Sequence, residues 1–218
     1  MIEKSQFLYV VNLKTYPGSW GSAGRKLVSA LATEAQKAAV HLIVCVPATD
    51  IADYSANLGV TVFAQHVDEE MAGAHTGAIL AEAVKEAGAS GTLINHSEKR
   101  LKVTLRNKTL ARCLELGLTT IICAQNEAEA KAAAGLHPDY IAYEPPELIG
   151  GEISVAQAKP EMIKDIVDQL TCPVLVGAGI NSKEDVQLAH QLGAVGILVA
   201  SHVVKAADPA AAFAGLII

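Results

Sequence analysis

Hydrophobic and polar positions along the chain change on two length scales. Short apolar runs rich in β-branched residues recur at 7–13, 42–46, 60–64, 91–95, 119–123, 140–143, 173–176 and 196–199. Most are apolar nearly throughout, as strands covered on both faces should be. Between them lie longer stretches rich in Ala, Lys and Glu with helical spacing. Helices are predicted at 24–39, 82–87, 104–116, 127–134, 159–169 and 183–192. In the first of these, Leu27, Leu31 and Ala35 recur every fourth residue, which puts them on one helix face turned toward a sheet.

Strict alternation of strand and helix with no return strand implies an α/β fold with a parallel sheet. Eight such units close into a single compact (β/α)8 TIM barrel. No linker, low-complexity tract or composition break interrupts the chain, so one domain over 1–218 is expected, with short helices and loops. The structural competitor is a doubly wound open sheet, which usually carries a glycine-rich turn after its first strand. Here Asn12-Leu13-Lys14-Thr15-Tyr16-Pro17 stands in that place. One connection is unusually long, 65–77, and is expected to project beyond the barrel as a functional or interfacial loop.

Composition narrows the partners. A hydrophobic fraction of 51% against 18% charged residues excludes a disordered chain. No apolar stretch approaches the length of a membrane span. The N-terminal residues 1–6 carry charge and lead into a strand without the layout of a signal peptide, so a cytoplasmic location is expected. A net charge of −6 argues against nucleic acid as a partner, but a small anion needs only local positive potential. The four cysteines, Cys45, Cys113, Cys123 and Cys172, form no CxxC pair and are expected to be reduced and buried.

In such barrels functional groups gather at the C-terminal ends of the strands. The residues predicted there are Asn12 and Lys14 after strand one, Asn95 to Lys99 after strand four, and Glu144 before Pro145-Pro146 after strand six. Gly177-Ala178-Gly179 follows strand seven, and Ala200-Ser201 follows strand eight. Glycines let backbone N–H groups approach an anion. Asn181 or Ser182 is expected to begin a helix whose N-terminus favours negative charge, and Ala200-Ser201 offers a second helix start. No basic side chain is required there. The run 144–151 has the form of a lid, with prolines stiffening one side and Gly150-Gly151 freeing the other. A rival constellation, His66, Asp68 and His75, has a spacing that matches no metal-ligand pattern.

Together these segments resemble the triosephosphate isomerase family, and specifically its short archaeal branch. The resemblance rests on Asn12-x-Lys14, Asn95-His96-Ser97-Glu98-Lys99-Arg100, Tyr143-Glu144-Pro145-Pro146-Glu147-Leu148-Ile149-Gly150, Gly177-Ala178-Gly179-Ile180 and Leu198-Val199-Ala200-Ser201, in the family's order. It implies an enzyme that interconverts dihydroxyacetone phosphate and D-glyceraldehyde 3-phosphate through an enediolate, with no metal or organic cofactor. It implies Glu144 as the base, His96 as the electrophile and Lys14 as the cation, with Asn12 positioning a substrate oxygen. The backbone at Ile149, Gly150, Gly179, Ala200 and Ser201 would hold the phosphate. The lid reads Pro-Pro-Glu where longer members have Pro-Val-Trp, and Ala78-Ile79-Leu80 follows Thr76-Gly77 where they place a glutamate and a serine. The family also reaches into a neighbouring subunit with the loop after strand three, so 65–77 implies a homo-oligomer, dimer or tetramer. A helix beginning at Ser97-Glu98 is expected to turn its positive end on His96 and keep the ring neutral. Two other readings are a different phosphate-binding barrel, such as an epimerase or aldolase, and a non-catalytic phosphate sensor. An aldolase needs a Schiff-base lysine within a strand, and Lys14 is the one lysine near a strand end considered for it. A sensor leaves Asn12, Lys14, His96 and Glu144 without a role.

Overall fold

A computed structural model describes residues 6–151 and 153–218; the charged N-terminal residues 1–5 lie outside the described part. All eight predicted runs are strands: β1 (Leu8–Asn12), β2 (His41–Val46), β3 (Thr61–Ala64), β4 (Gly91–Ile94), β5 (Thr119–Ala124), β6 (Tyr140–Tyr143), β7 (Val174–Gly177) and β8 (Gly196–Val199). They pair in sequence order, all parallel, and β8 returns to β1 with Leu8 opposite Gly196, closing the barrel. The open-sheet alternative is thereby excluded.

The helices are α1 (Gly21–Ala38), α2 (Ile51–Asn57), α3 (Ala81–Glu86), α4 (Val103–Glu115), α5 (Glu127–Ala134), α6 (Val155–Ala158), α7 (Pro160–Gln169), α8 (Lys183–Gln191), α9 (Ser201–Val204) and α10 (Pro209–Ala214). Those after β2 and β8 had no bounds predicted from spacing. With 7, 4 and 6 residues, α2, α9 and α10 are too short to display a helical period. The first helix starts three residues earlier than its apolar spacing indicates. Its first N–H, at Gly21, donates to Asp50 Oδ1 at 3.1 Å, a cap supplied from the segment after β2.

Two cores explain the nearly continuous apolar strands. Alternate residues such as Leu8, Val10, Ile43, Leu93 and Leu175 fill the barrel interior. Their neighbours Tyr9, Val11, Val44, Ile94 and Val176 pack outward against the helices. Each fully buried aliphatic side chain contributes about 1.5–3 kcal/mol. Phe63 fills the interior because Gly91 leaves room: a Cβ there would come within 2.5 Å of its ring. The four cysteines are free and buried, as expected, with Cys45 and Cys123 inside the barrel.

The loop after β3 runs without regular structure to α3, and 71–77 is exposed throughout. Asp68 fastens its base. Its Oδ2 accepts from the Ile79 N–H at 2.7 Å, its Oδ1 lies 2.9 Å from His66 Nε2, and its own N–H donates to the Ile79 carbonyl at 2.8 Å. The rival triad does not converge: His66 meets Asp68, whereas His75 lies 3.2 Å from Glu70. Among the described residues no helix is long and apolar enough to cross a membrane.

Candidate active site

The C-terminal ends of the strands surround a cavity of about 300 Å³ lined by all nine residues predicted for the site: Asn12, Lys14, His96, Glu144, Ile149, Gly150, Gly179, Ala200 and Ser201. Parallel strands of a closed barrel end on one rim, which is why segments far apart in sequence meet there.

Lys14 leaves β1 with φ 51, in the left-handed region that few non-glycine residues adopt. The Asn12 side chain holds it there, with Oδ1 accepting from the Lys14 N–H at 3.0 Å, while Gln65 Nε2 donates to the Lys14 carbonyl at 2.9 Å. Such strain costs on the order of 1–3 kcal/mol and persists where the surroundings over-determine the backbone. Its Nζ lies 2.8 Å from Glu98 Oε1, an ion pair between the loops of β1 and β4. Glu98 was expected only as part of a helix start; its pairing with a lysine 84 residues away is a tertiary fact.

The expected helix after His96 is absent. The chain makes a turn, with the Lys99 N–H donating to the His96 carbonyl at 2.8 Å, and α4 begins only at Val103. The cause is Asn95, at φ 65. Its Oδ1 accepts from the Leu101 N–H, and its Nδ2 donates to the Cys123 carbonyl and to Glu129 Oε1, each at 3.0 Å, so the segment 95–101 wraps around this one side chain. Arg100 pairs with the same Glu129. The tautomer of His96 therefore rests on a different contact from the one predicted. The Glu98 N–H donates to His96 Nδ1 at 3.2 Å. An accepting Nδ1 leaves the proton of the neutral ring on Nε2.

Glu144 is 7% exposed, and its Oε2 is buried without a hydrogen-bond partner, 3.9 Å from His96 Nε2. An unpaired buried carboxylate oxygen is costly, so its retention points to chemistry. Gly177 provides the room: a Cβ there would lie 2.6 Å from Glu144 Cγ and 2.8 Å from its Oε1. Below it, burial and then the Glu144 charge hold the Cys45 and Cys123 thiols protonated.

The segments expected to hold a phosphate also differ from expectation. Ser182 does cap α8, but Asp185 completes the capping box and takes the N–H groups of Asn181 and Ser182 at 3.0 and 3.1 Å. Burial alone would raise the Asp185 carboxyl, but hydrogen bonds from Ser154, Asn181 and Ser182 outweigh it and hold the carboxyl below the usual range. The N-terminus of α8 is thus already occupied by an anion of the chain itself. The N–H groups of Gly150, Gly179 and Ser201 donate to no backbone carbonyl among the described residues. That of Ile149 donates to the Pro146 carbonyl at 3.3 Å. Around the segment 144–151, Glu147 pairs with Lys159, and Asn181 Nδ2 donates to the Gly151 carbonyl at 3.1 Å. Tyr16, His202 and Lys205 also line the cavity and were not singled out from the sequence.

A closed (β/α)8 barrel that brings a carboxylate, an imidazole and an ammonium to the C-terminal rim of its strands has the architecture of a barrel enzyme. The sequence model of the triosephosphate isomerase family matches residues 7–217. A triosephosphate isomerase of Methanoculleus marisnigri is 43% identical over 213 residues, 95% of this chain and 96% of the relative. That of Methanocaldococcus jannaschii is 44% identical over 204 residues, 91% and 93% of the two chains, and that of Methanothermus fervidus 42% identical over 215, 96% and 97%. The crystal structure of the Bartonella henselae triosephosphate isomerase superposes with a TM-score of 0.71 at 21% identity, covering 95% of this chain and 97% of that one, a likeness of fold. The chain belongs to the triosephosphate isomerase family.

Proposed function

We propose that the chain interconverts dihydroxyacetone phosphate and D-glyceraldehyde 3-phosphate, with Glu144 as the base. The observation that carries the reading is the unpartnered Glu144 Oε2 facing His96 Nε2 across 3.9 Å. A C–H beside a carbonyl is a weak acid, so the site must stabilise the enediolate that forms. Glu144 takes the proton from one carbon and returns it to the next. The Nε2–H of neutral His96 donates to the oxygen as charge develops, and Lys14 adds positive charge beside it. Pre-aimed donors of this kind contribute about 3–4 kcal/mol each. Asn12 holds the substrate oxygen as well as the Lys14 backbone. Backbone N–H groups at Ile149, Gly150, Gly179, Ala200 and Ser201 receive the phosphate, and closure of 144–151 excludes water. No residue in this scheme calls for a metal or organic cofactor.

We read 1–218 as one domain and the protein as a cytosolic homo-oligomer, dimer or tetramer, built through 65–77. Support comes from a seven-residue exposed tip at 71–77 carrying Met71 at 61% exposure on a base fastened by Asp68. Light scattering on the purified chain and on a Met71→Glu variant tests the assembly; a wild-type monomer would overturn it. The decisive test of function is a coupled assay with glyceraldehyde 3-phosphate. Folded protein without turnover, and Glu144→Asp turning over like wild type, are the results that sink the reading.

A further inference from the structure

Two lysines and two glutamates line the cavity: Lys14, Lys205, Glu98 and Glu144. Lys14 is paired with Glu98 at 2.8 Å, and Glu144 adds a second negative charge. Among its lysines and carboxylates, acidic and basic side chains are thus equal in number, in a chain of net charge −6. A phosphorylated triose carries close to two negative charges, and Lys14, paired with the exposed Glu98, supplies only part of the positive field it calls for.

Lys205 differs from Lys14 in this respect. It caps the C-terminus of α9, one turn beyond Ser201, and among the described residues it makes no ion pair. Its Nζ lies over the Tyr16 ring, 5.5 Å from the centroid, and Tyr16 lines the same cavity. An aromatic face positions an ammonium group without cancelling its charge, as a carboxylate would. Tyr16, from the loop after β1, thus holds the lysine at the end of α9 in the wall of the cavity with its charge available.

We propose that Lys205, seated on Tyr16, is a specificity-determining residue: it supplies the uncompensated positive charge that draws in and retains the phosphate group of the substrate. This rests on the isomerase reading above. It replaces the expectation that the phosphate end works through backbone groups alone.

The test compares Lys205→Met, which keeps the length of the stem, and Lys205→Arg, which keeps the charge, with wild type. At low ionic strength Lys205→Met is expected to lower kcat/KM for glyceraldehyde 3-phosphate on the order of 10-fold, mostly through KM. The deficit shrinks to about twofold as salt rises and the Debye length shortens. Lys205→Arg restores most of the loss. Tyr16→Leu loses on the order of threefold, the worth of an exposed cation–π contact. Turnover of unphosphorylated glyceraldehyde changes by no more than about twofold in Lys205→Met. Equal losses on both substrates, or an unchanged kcat/KM for the phosphorylated one at low salt, overturn the proposal. Titration with inorganic phosphate reads the site without turnover. Weaker binding by Lys205→Met in a chain that does not isomerise keeps the phosphate assignment while the isomerase reading fails, and unchanged binding overturns the assignment.

Discussion

Replacing Gly177 by alanine puts a methyl group where the Glu144 side chain lies. The added Cβ would be 2.6 Å from Glu144 Cγ, and ordinary contact begins near 3.4 Å, so the carboxylate must retreat by about 0.8 Å. The backbone at Gly177 is not in the left-handed region, so alanine meets no dihedral penalty there and the perturbation is steric. Overpacking of this kind costs about 1–3 kcal/mol of stability, which a thermal melt will register without loss of the fold. Activity is far more sensitive, because misplacing a reacting group by about 1 Å costs on the order of 100-fold. Gly177→Ala should therefore turn over glyceraldehyde 3-phosphate on the order of 100-fold more slowly in a coupled assay, with a nearly native circular dichroism spectrum. Glu144→Asp alone should lose a similar factor, since it withdraws the carboxylate by about 1 Å. The double variant should lose much less than the product of the two, because the shorter side chain avoids the new methyl group. Turnover by Gly177→Ala within about threefold of wild type would refute the argument that this clearance sets the position of the base.

Asp185→Asn removes the carboxylate that closes the α8 capping box and accepts from Gln157 Nε2 at 2.7 Å, and should cost about 2–3 kcal/mol in urea unfolding. In Asp185 and Glu129 burial raises the carboxyl, but the hydrogen bonds each accepts outweigh it, so the folded pKa lies below the unfolded one. Their stabilisation is complete above the ordinary carboxylate range and is lost as pH falls through the depressed values. The melting temperature should therefore hold from pH 7 to about 5 and drop below about 4, and a flat profile would contradict the assignment. Nitrogen NMR of the His96 ring at pH 8 should show Nδ1 without a proton and Nε2 with one, and the reverse tautomer would remove His96 as the donor.

How much was legible can be judged from particular residues. The capping box of α8 was written locally as Ser182-x-x-Asp185, and reading it would have shown that this helix N-terminus is taken. The turn after His96 was not legible in the same way. Ser97-Glu98 is an acceptable helix start by its own propensity, and what prevents it is the Asn95 amide bound to Cys123 in β5 and Glu129 in α5. Lys205 gave no local signal at all: a lysine at a short helix end is ordinary until Tyr16 is beneath it.

The sequence by itself determined the eight strands, their parallel order and the candidates at their C-terminal ends. Apolar periodicity and residue type are local properties, and strand-end positions follow from them once the barrel is assumed. Only the tertiary structure decided which charges are answered and which are not. The Lys14–Glu98 pair, the unpartnered Glu144 oxygen beside His96, the clearance at Gly177 and the lysine on Tyr16 all join atoms from different strand–helix units. Their separations are fixed by barrel closure and register, and Coulomb and steric terms depend on those separations far more steeply than on the identity of the residues involved.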